Sequence, residues 1–272
     1  CAYLSYASYM DPSSTEPATD RSEDSKVDPK AIYPSEVDRA TYVRNMFGAI
    51  AGRYDLINTI MTAGRHYAWR RFAANELVRS NDMIVDVGCG TGDLSIACLK
   101  AGAHCVLGVD VAAPMLVVAR RKVTRVPAVT QTINFVGGDA TALPLSAQSV
   151  DGWCSAFVVR NIPDLDVAIA EAWRVLKPGG RLANLEITRV ERGPLRWLAR
   201  FHFTKVVPLI GRLISGHASA YQYLPISVDH FDSAEQFTER LTRAGFAVTE
   251  VRSLMFGTIA MHVAEKPHVK VV

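Results

Sequence analysis

The segment Asp86-Val87-Gly88-Cys89-Gly90-Thr91-Gly92-Asp93 restricts what this chain can fold into more than any other stretch. Met83-Ile84-Val85 leads into it as an apolar strand, and Leu94 to Leu99 leaves it with helical character, so the unit reads as strand, tight loop, helix. A loop of this kind binds by its backbone. Glycine reaches positive φ without strain and carries no Cβ to keep a ligand away, and the following helix begins with unpaired N–H groups. An ordinary glycine-rich turn is the alternative reading.

The glycine spacing narrows the ligand. Dinucleotide folds use G-x-G-x-x-G, with the helix N-terminus held open for pyrophosphate; here the spacing is G-x-G-x-G, and Asp86 and Asp93 flank it. Two carboxylates repel phosphate and suit a cation. The ligand expected at Asp86, Gly88, Gly90 and Thr91 is therefore S-adenosylmethionine, whose sulfonium and amino groups are positive.

From Asp82 onward the chain alternates strand and helix. His104 to Asp110 is an apolar strand ending in an acid about twenty residues past the glycine loop, the offset at which nucleotide folds hold a ribose. The two oxygens of Asp110 suit two adjacent hydroxyls; the alternative is a cap for the helix starting near Pro114. Ile133 to Val136 forms a third strand. Its exit loop offers Asp139 to the adenine amino group, or to solvent. A fourth strand from Val150 to Val159 runs into Arg160-Asn161, so Ser155, Arg160 and Asn161 are expected between cofactor and acceptor, with a surface ion pair as the alternative for Arg160. A helix over 164–176, a Lys177-Pro178-Gly179-Gly180 turn and a strand over 181–187 follow. Short βα links of this order imply a parallel sheet with right-handed crossovers.

The flanks are different. Residues 1–34 are rich in Ser, Asp, Glu, Thr and Pro and are expected to be a disordered polar arm. Helical spacing begins at Ser35 and breaks near Gly52 and Gly64, which predicts a helical cap over 35–80 with Tyr54 and His66 at its breaks, as ligand contacts or as packed residues. In 191–223 apolar Leu195, Leu198, Phe203 and Val206 interleave with Arg192, Arg196, Arg200 and Lys205, which reads as an inserted lid, a lipid-facing surface or a helix with a solvated basic face.

At 272 residues, 49% hydrophobic, the chain fits one large α/β domain. A net charge of +3 without a long basic run argues against a nucleic-acid partner. Cys89, Cys98, Cys105 and Cys154 show no C-x-x-C pair and read as reduced thiols rather than metal ligands; with no secretion signal or membrane span in the sequence, they predict a cytoplasmic location.

Tyr54-Asp55-Leu56-Ile57-Asn58, Trp69-Arg70-Arg71, Asp86 to Asp93, Asp139 to Pro144, Arg160-Asn161, Arg174 to Arg181, Phe201-His202 and Tyr221-Gln222-Tyr223-Leu224-Pro225 with Ser227 together resemble the ubiquinone/menaquinone biosynthesis C-methyltransferases, over about 43–265. The resemblance implies a class I S-adenosylmethionine-dependent methyltransferase fold: Rossmann-like α/β, a mostly parallel seven-stranded sheet with helices on both faces. It implies cofactor contacts at Thr91, Asp110, Asp139-Ala140 and Ser155, and methylation of a prenylated quinol, foremost demethylmenaquinol. Arg160 is expected to stabilise a developing phenolate, Asn161 and Tyr54 to orient it, and Asp139 or His202 to relay a proton. A benzoquinol, a sterol or a phospholipid amine as acceptor, and a silent cofactor-binding protein, are the rival readings. Peripheral membrane contact and a homodimer stay open.

Overall fold

The architecture comes from a computed structural model, which describes residues 36–126, 132–189, 223 and 226–268. The polar arm over 1–34, His202 and, apart from Tyr223, the lid over 191–223 lie outside the described residues.

Among the described residues three helices precede the first strand: α1 (Glu36–Ile50), α2 (Tyr54–Thr62) and α3 (Arg65–Leu77), broken near Gly52 and Gly64 as the sequence predicts. The alternating part then runs β1 (Met83–Val87), α4 (Asp93–Lys100), β2 (Cys105–Asp110), α5 (Ala113–Val123), β3 (Ile133–Gly137), β4 (Val150–Ala156), α6 (Leu165–Val175) and β5 (Leu176–Ile187). It closes with α7 (Ala234–Arg243), β6 (Ala247–Leu254) and β7 (Ile259–Glu265). Local chemistry sets several boundaries. Asp164 accepts the Val167 N–H to start α6, and Ser233 with Gln236 forms a capping box at the head of α7.

The seven strands pair in the order β3-β2-β1-β4-β5-β7-β6, parallel from β3 to β5 and antiparallel at β7. Lys177 to Gly180, expected as a turn before the fifth strand, is carried inside β5 instead: Val150 pairs with Leu176 and Gly152 with Arg181, so the extra residues bulge out.

Each face of the sheet is covered. Trp69, Ala73 and Leu77 of α3 pack with Ile84, Leu94, Leu116, Phe135 and Leu185 on one side; Val85, Trp153, Ile169, Val175, Phe237 and Leu241 fill the other. Along β1, Ile84 and Val85 enter opposite cores, as strand alternation requires. A smaller cluster joins Ile50 and Ile57 of the leading helices to Met115 of α5, fixing those helices over the carboxyl ends of β1 and β2. Truncating a core leucine such as Leu185 in an interior this full costs roughly 2–5 kcal/mol. The reversal of strand order between β2-β1 and β4 leaves a crevice at those carboxyl ends, where open α/β sheets bind ligands.

Candidate functional site

A cavity occupies that crevice. Its walls are the loop from Asp86 to Thr91, Asp110 to Ala112, Gly138 to Ala140, Ala156 to Val158, and Asn161 to Pro163, under a roof of α1 and α2 residues including Val43, Arg44, Phe47 and Tyr54.

The floor is the glycine loop, tied down from the neighbouring strand. The N–H groups of Gly88 and Cys89 donate to the Val109 carbonyl at 2.7 and 3.0 Å. Gly88 has φ +66, and a Cβ there would come within 2.4 Å of Val158, so no other residue fits. Asp110 braces the same loop: one carboxylate oxygen accepts the Gly90 N–H and the other the Ala112 N–H, each at 2.8 Å. Burial raises its pKa, and the two backbone donors pull it back down. Asp110 does not cap α5, whose N-cap Ala112 has no side-chain cap hydrogen bond; it braces the turn before that helix and stands at the cavity wall, where each carboxylate oxygen keeps a further acceptor position.

Asp86 is buried beneath the loop and accepts the Ser95 hydroxyl. Burial pushes its carboxyl up to about 6, against the Ser95 hydrogen bond and the positive charge of Arg70. Asp139 is exposed on the wall; its Oδ1 accepts both the N–H and the hydroxyl of Thr141, at 2.8 and 2.7 Å.

Thr91 is buried and fastens the roof to the floor. Its hydroxyl donates to Asp55 of α2 at 2.6 Å, and Lys122 of α5 sits 2.6 Å from Asp55, 2.7 Å from Asp93 and 3.0 Å from the Thr91 oxygen. The Tyr-Asp dipeptide at the head of α2 therefore serves both ends. Tyr54 lines the cavity edge-on to Phe47, while Asp55 pins the helix down.

At the end of β4 a single 3-10 turn, Val159–Asn161, presents the Arg-Asn pair. Asn161 lines the cavity with a buried amide oxygen that has no hydrogen-bond partner. Arg160 differs from its expected placement facing the acceptor. It stands behind the lining, buried, with its guanidinium closed on Glu186 of β5, its N–H donating to the other Glu186 oxygen at 3.2 Å, and its carbonyl accepting from Arg39 at 2.7 Å. The physical reason is Glu186 itself: burial raises its pKa, and the positive charge of Arg160 beside it opposes that rise. Ser155 is buried in β4 with its hydroxyl unpartnered, and Ala156, one residue on, is what reaches the wall. His66 does not line the cavity; it is buried against Thr59, Tyr67 and Arg70, and burial lowers its pKa to about 4.

Arg70 is the wall residue that reading the sequence for function misses. It lies on α3 in the buried stripe His66, Arg70, Ala73, Ala74, Leu77, and a charged residue at a stripe position is the signal that could have found it.

The model of the ubiE/COQ5 methyltransferase family matches residues 35–266. The chain belongs to that family. It is 40% identical over 225 residues to the demethylmenaquinone methyltransferase of Thermus thermophilus, covering 82% of this chain and 100% of that one. It is 37% identical over 232 residues to the ubiquinone/menaquinone biosynthesis C-methyltransferase UbiE of Bradyrhizobium diazoefficiens, covering 83% and 91%. The solved structure of a SAM dependent methyltransferase from Aquifex aeolicus shares the fold, with a TM-score of 0.54 at 20% identity over 78% of this chain and 97% of that one.

As a ubiE/COQ5 methyltransferase the chain uses S-adenosylmethionine, and the residues present fit it. Asp86, Asp110 and Asp139 stand in or just after β1, β2 and β3, an acidic row suited to a ligand with positive charges, hydroxyl donors and an exocyclic amine. Gly90, at positive φ, would meet nothing within 4 Å if it carried a Cβ, so the loop backbone faces open space where a ligand can lie against it.

Proposed function

We propose that this methyltransferase methylates a ring carbon of a prenylated naphthoquinol, converting demethylmenaquinol to menaquinol. The observation that carries the reading is Asn161: a buried amide oxygen without a donor, in a cavity also lined by Val43, Phe47, Phe157, Val158 and Ile162. A flat apolar ring bearing a hydroxyl supplies both what the wall buries and what the amide lacks. The likeness to the Thermus thermophilus demethylmenaquinone methyltransferase, over 82% of this chain, supports the same acceptor.

S-adenosylmethionine, held by Asp86, Thr91, Asp110 and Asp139-Ala140, supplies an electrophilic methyl group. A ring carbon is a weak nucleophile, so the protein must position it and let the neighbouring oxygen give up its proton. Asn161 accepts the hydroxyl hydrogen and fixes the ring plane, with Tyr54 across the cavity orienting it. Arg160 acts from behind: its turn, anchored by Glu186 and Arg39, sets Asn161, and its buried Nε, which has no acceptor, adds positive potential for the developing phenolate. Asp139 or His202, through water, takes the proton that leaves. The ring hydrogen displaced by the methyl group leaves as a second proton, restoring aromaticity, and the phenolate oxygen takes one proton back, so menaquinol forms with one proton released overall. The sequence of 191–223, in which apolar and basic residues interleave, has a composition suited to a prenyl tail and to the lipid surface from which such an acceptor is drawn. Among the described residues no helix is long and apolar enough to cross a membrane.

A benzoquinol acceptor is the second reading, because the Bradyrhizobium diazoefficiens relative is named for both ubiquinone and menaquinone biosynthesis. Incubation of purified protein with methyl-labelled S-adenosylmethionine and a short-chain demethylmenaquinol, beside a matching benzoquinol, tests it. Label in the naphthoquinol is expected; label in the benzoquinol alone supports the second reading, and label in neither contradicts both.

A further inference from the structure

None of the roles above uses Arg70. Its side chain leaves α3 for the cavity wall, and the residue is 6% exposed. Among the described residues no carboxylate comes within 4.0 Å of its guanidinium. Its contacts are His66 Nδ1, 2.5 Å from Nη1, and the ring of Phe157, whose centroid lies 5.2 Å from Cζ. His66 is no counter-ion, since burial holds its pKa near 4 and the ring stays neutral. A guanidinium taken out of water without an anion is costly unless a ligand completes the pair. The other buried arginine at this end of the sheet, Arg160, has Glu186; Arg70 has an open cavity.

The strand order identifies the ligand group. Asp139 and Asp110 follow β3 and β2, so the adenosine end extends across those strands and the amino-acid end falls over β1 and β4. That is where Arg70 stands, close enough to Asp86 to influence its charge and stacked on Phe157, the residue after β4. Phe157 has φ +65, an unfavourable conformation for a bulky residue, and in it the ring lies under the guanidinium. The methionyl end of the cofactor carries a carboxylate, which a guanidinium recognises through two parallel N–H···O bonds. We propose that Arg70 binds the α-carboxylate of the cofactor's methionyl moiety, with His66 holding one side of the fork in place. This rests on the cofactor lying with its adenosine over β2 and β3.

The test separates the carboxylate from the rest of the ligand. Calorimetric titration compares S-adenosylhomocysteine with S-adenosyl-3-thiopropylamine, which lacks only the carboxylate. Wild-type protein is expected to prefer the carboxylate-bearing ligand by about ten- to a hundredfold, the range for a charge-assisted pair. Arg70→Gln should lose that preference by weakening S-adenosylhomocysteine alone. Equal binding of the two ligands to the wild type, or equal weakening of both in the variant, overturns the assignment. Should Arg70→Gln fail to fold, Arg70→Lys keeps charge without the fork: a reduced preference supports the contact, and an unchanged one overturns it. Failure of the wild type to bind either ligand would instead overturn the cofactor's placement on which this rests.

Discussion

The carboxyl ends of β1 to β3 and the end of β4 treat their polar groups in opposite ways. On the first side every acid already has a protein donor: Ser95 for Asp86, two backbone N–H groups for Asp110, Thr141 for Asp139. On the second, Asn161 Oδ1 and Arg160 Nε are buried without partners. A cradle braced in advance costs little reorganisation when a cofactor binds, whereas on the function proposed above the unpaired groups at the end of β4 gain their hydrogen bonds only when the acceptor arrives. The acceptor end depends on a buried ion pair for its shape, and the cradle depends on backbone.

Breaking the ion pair should give the largest effect. Glu186→Ala leaves the Arg160 charge uncompensated and is expected to lower unfolding free energy by about 3–5 kcal/mol in urea titration, with Arg160→Met in the same chain recovering most of it. A single variant within about 1 kcal/mol of wild type would show that the turn does not need the pair.

The cradle is sharpened by pH. Asp86 has a folded pKa of about 6 against 3.8 for the free side chain, so the folded state keeps a proton that the unfolded chain has released. Stability relative to Asp86→Asn should therefore rise as pH falls through about 6 and level off below 3.8, by up to about 3 kcal/mol. Unfolding of both proteins at pH 7 and 4.5 measures it; a difference that does not vary with pH contradicts the burial argument.

The smallest effect is expected where the roof meets the cradle. Lys122 is 23% exposed and its partners Asp55 and Asp93 are 28% and 12%, so Lys122→Met should cost about 1 kcal/mol or less, with the loss shrinking in salt. Thermal melts at low and high salt read this directly.

The same contrast explains what the sequence made legible. The cradle is local: strand, glycines and helix are contiguous, and Asp110 and Asp139 sit at strand ends that apolar runs make visible. The roof is also local, because Gly52 and Gly64 punctuate its helices. The acceptor end is not. Glu186 reads as part of an ordinary inner strand, and only strand pairing brings it against Arg160, 26 residues earlier. Ser155 and Ala156 are neighbours on β4, and alternation alone left undecided which one faces the cavity.

Calorimetry with S-adenosylmethionine and NAD, on wild type and Asp110→Ala, tests most directly that an acidic cradle selects a sulfonium cofactor. The account expects S-adenosylmethionine to bind one per chain, NAD not to bind, and Asp110→Ala to weaken the former about ten- to a hundredfold. Retention of NAD with no heat from S-adenosylmethionine would contradict it.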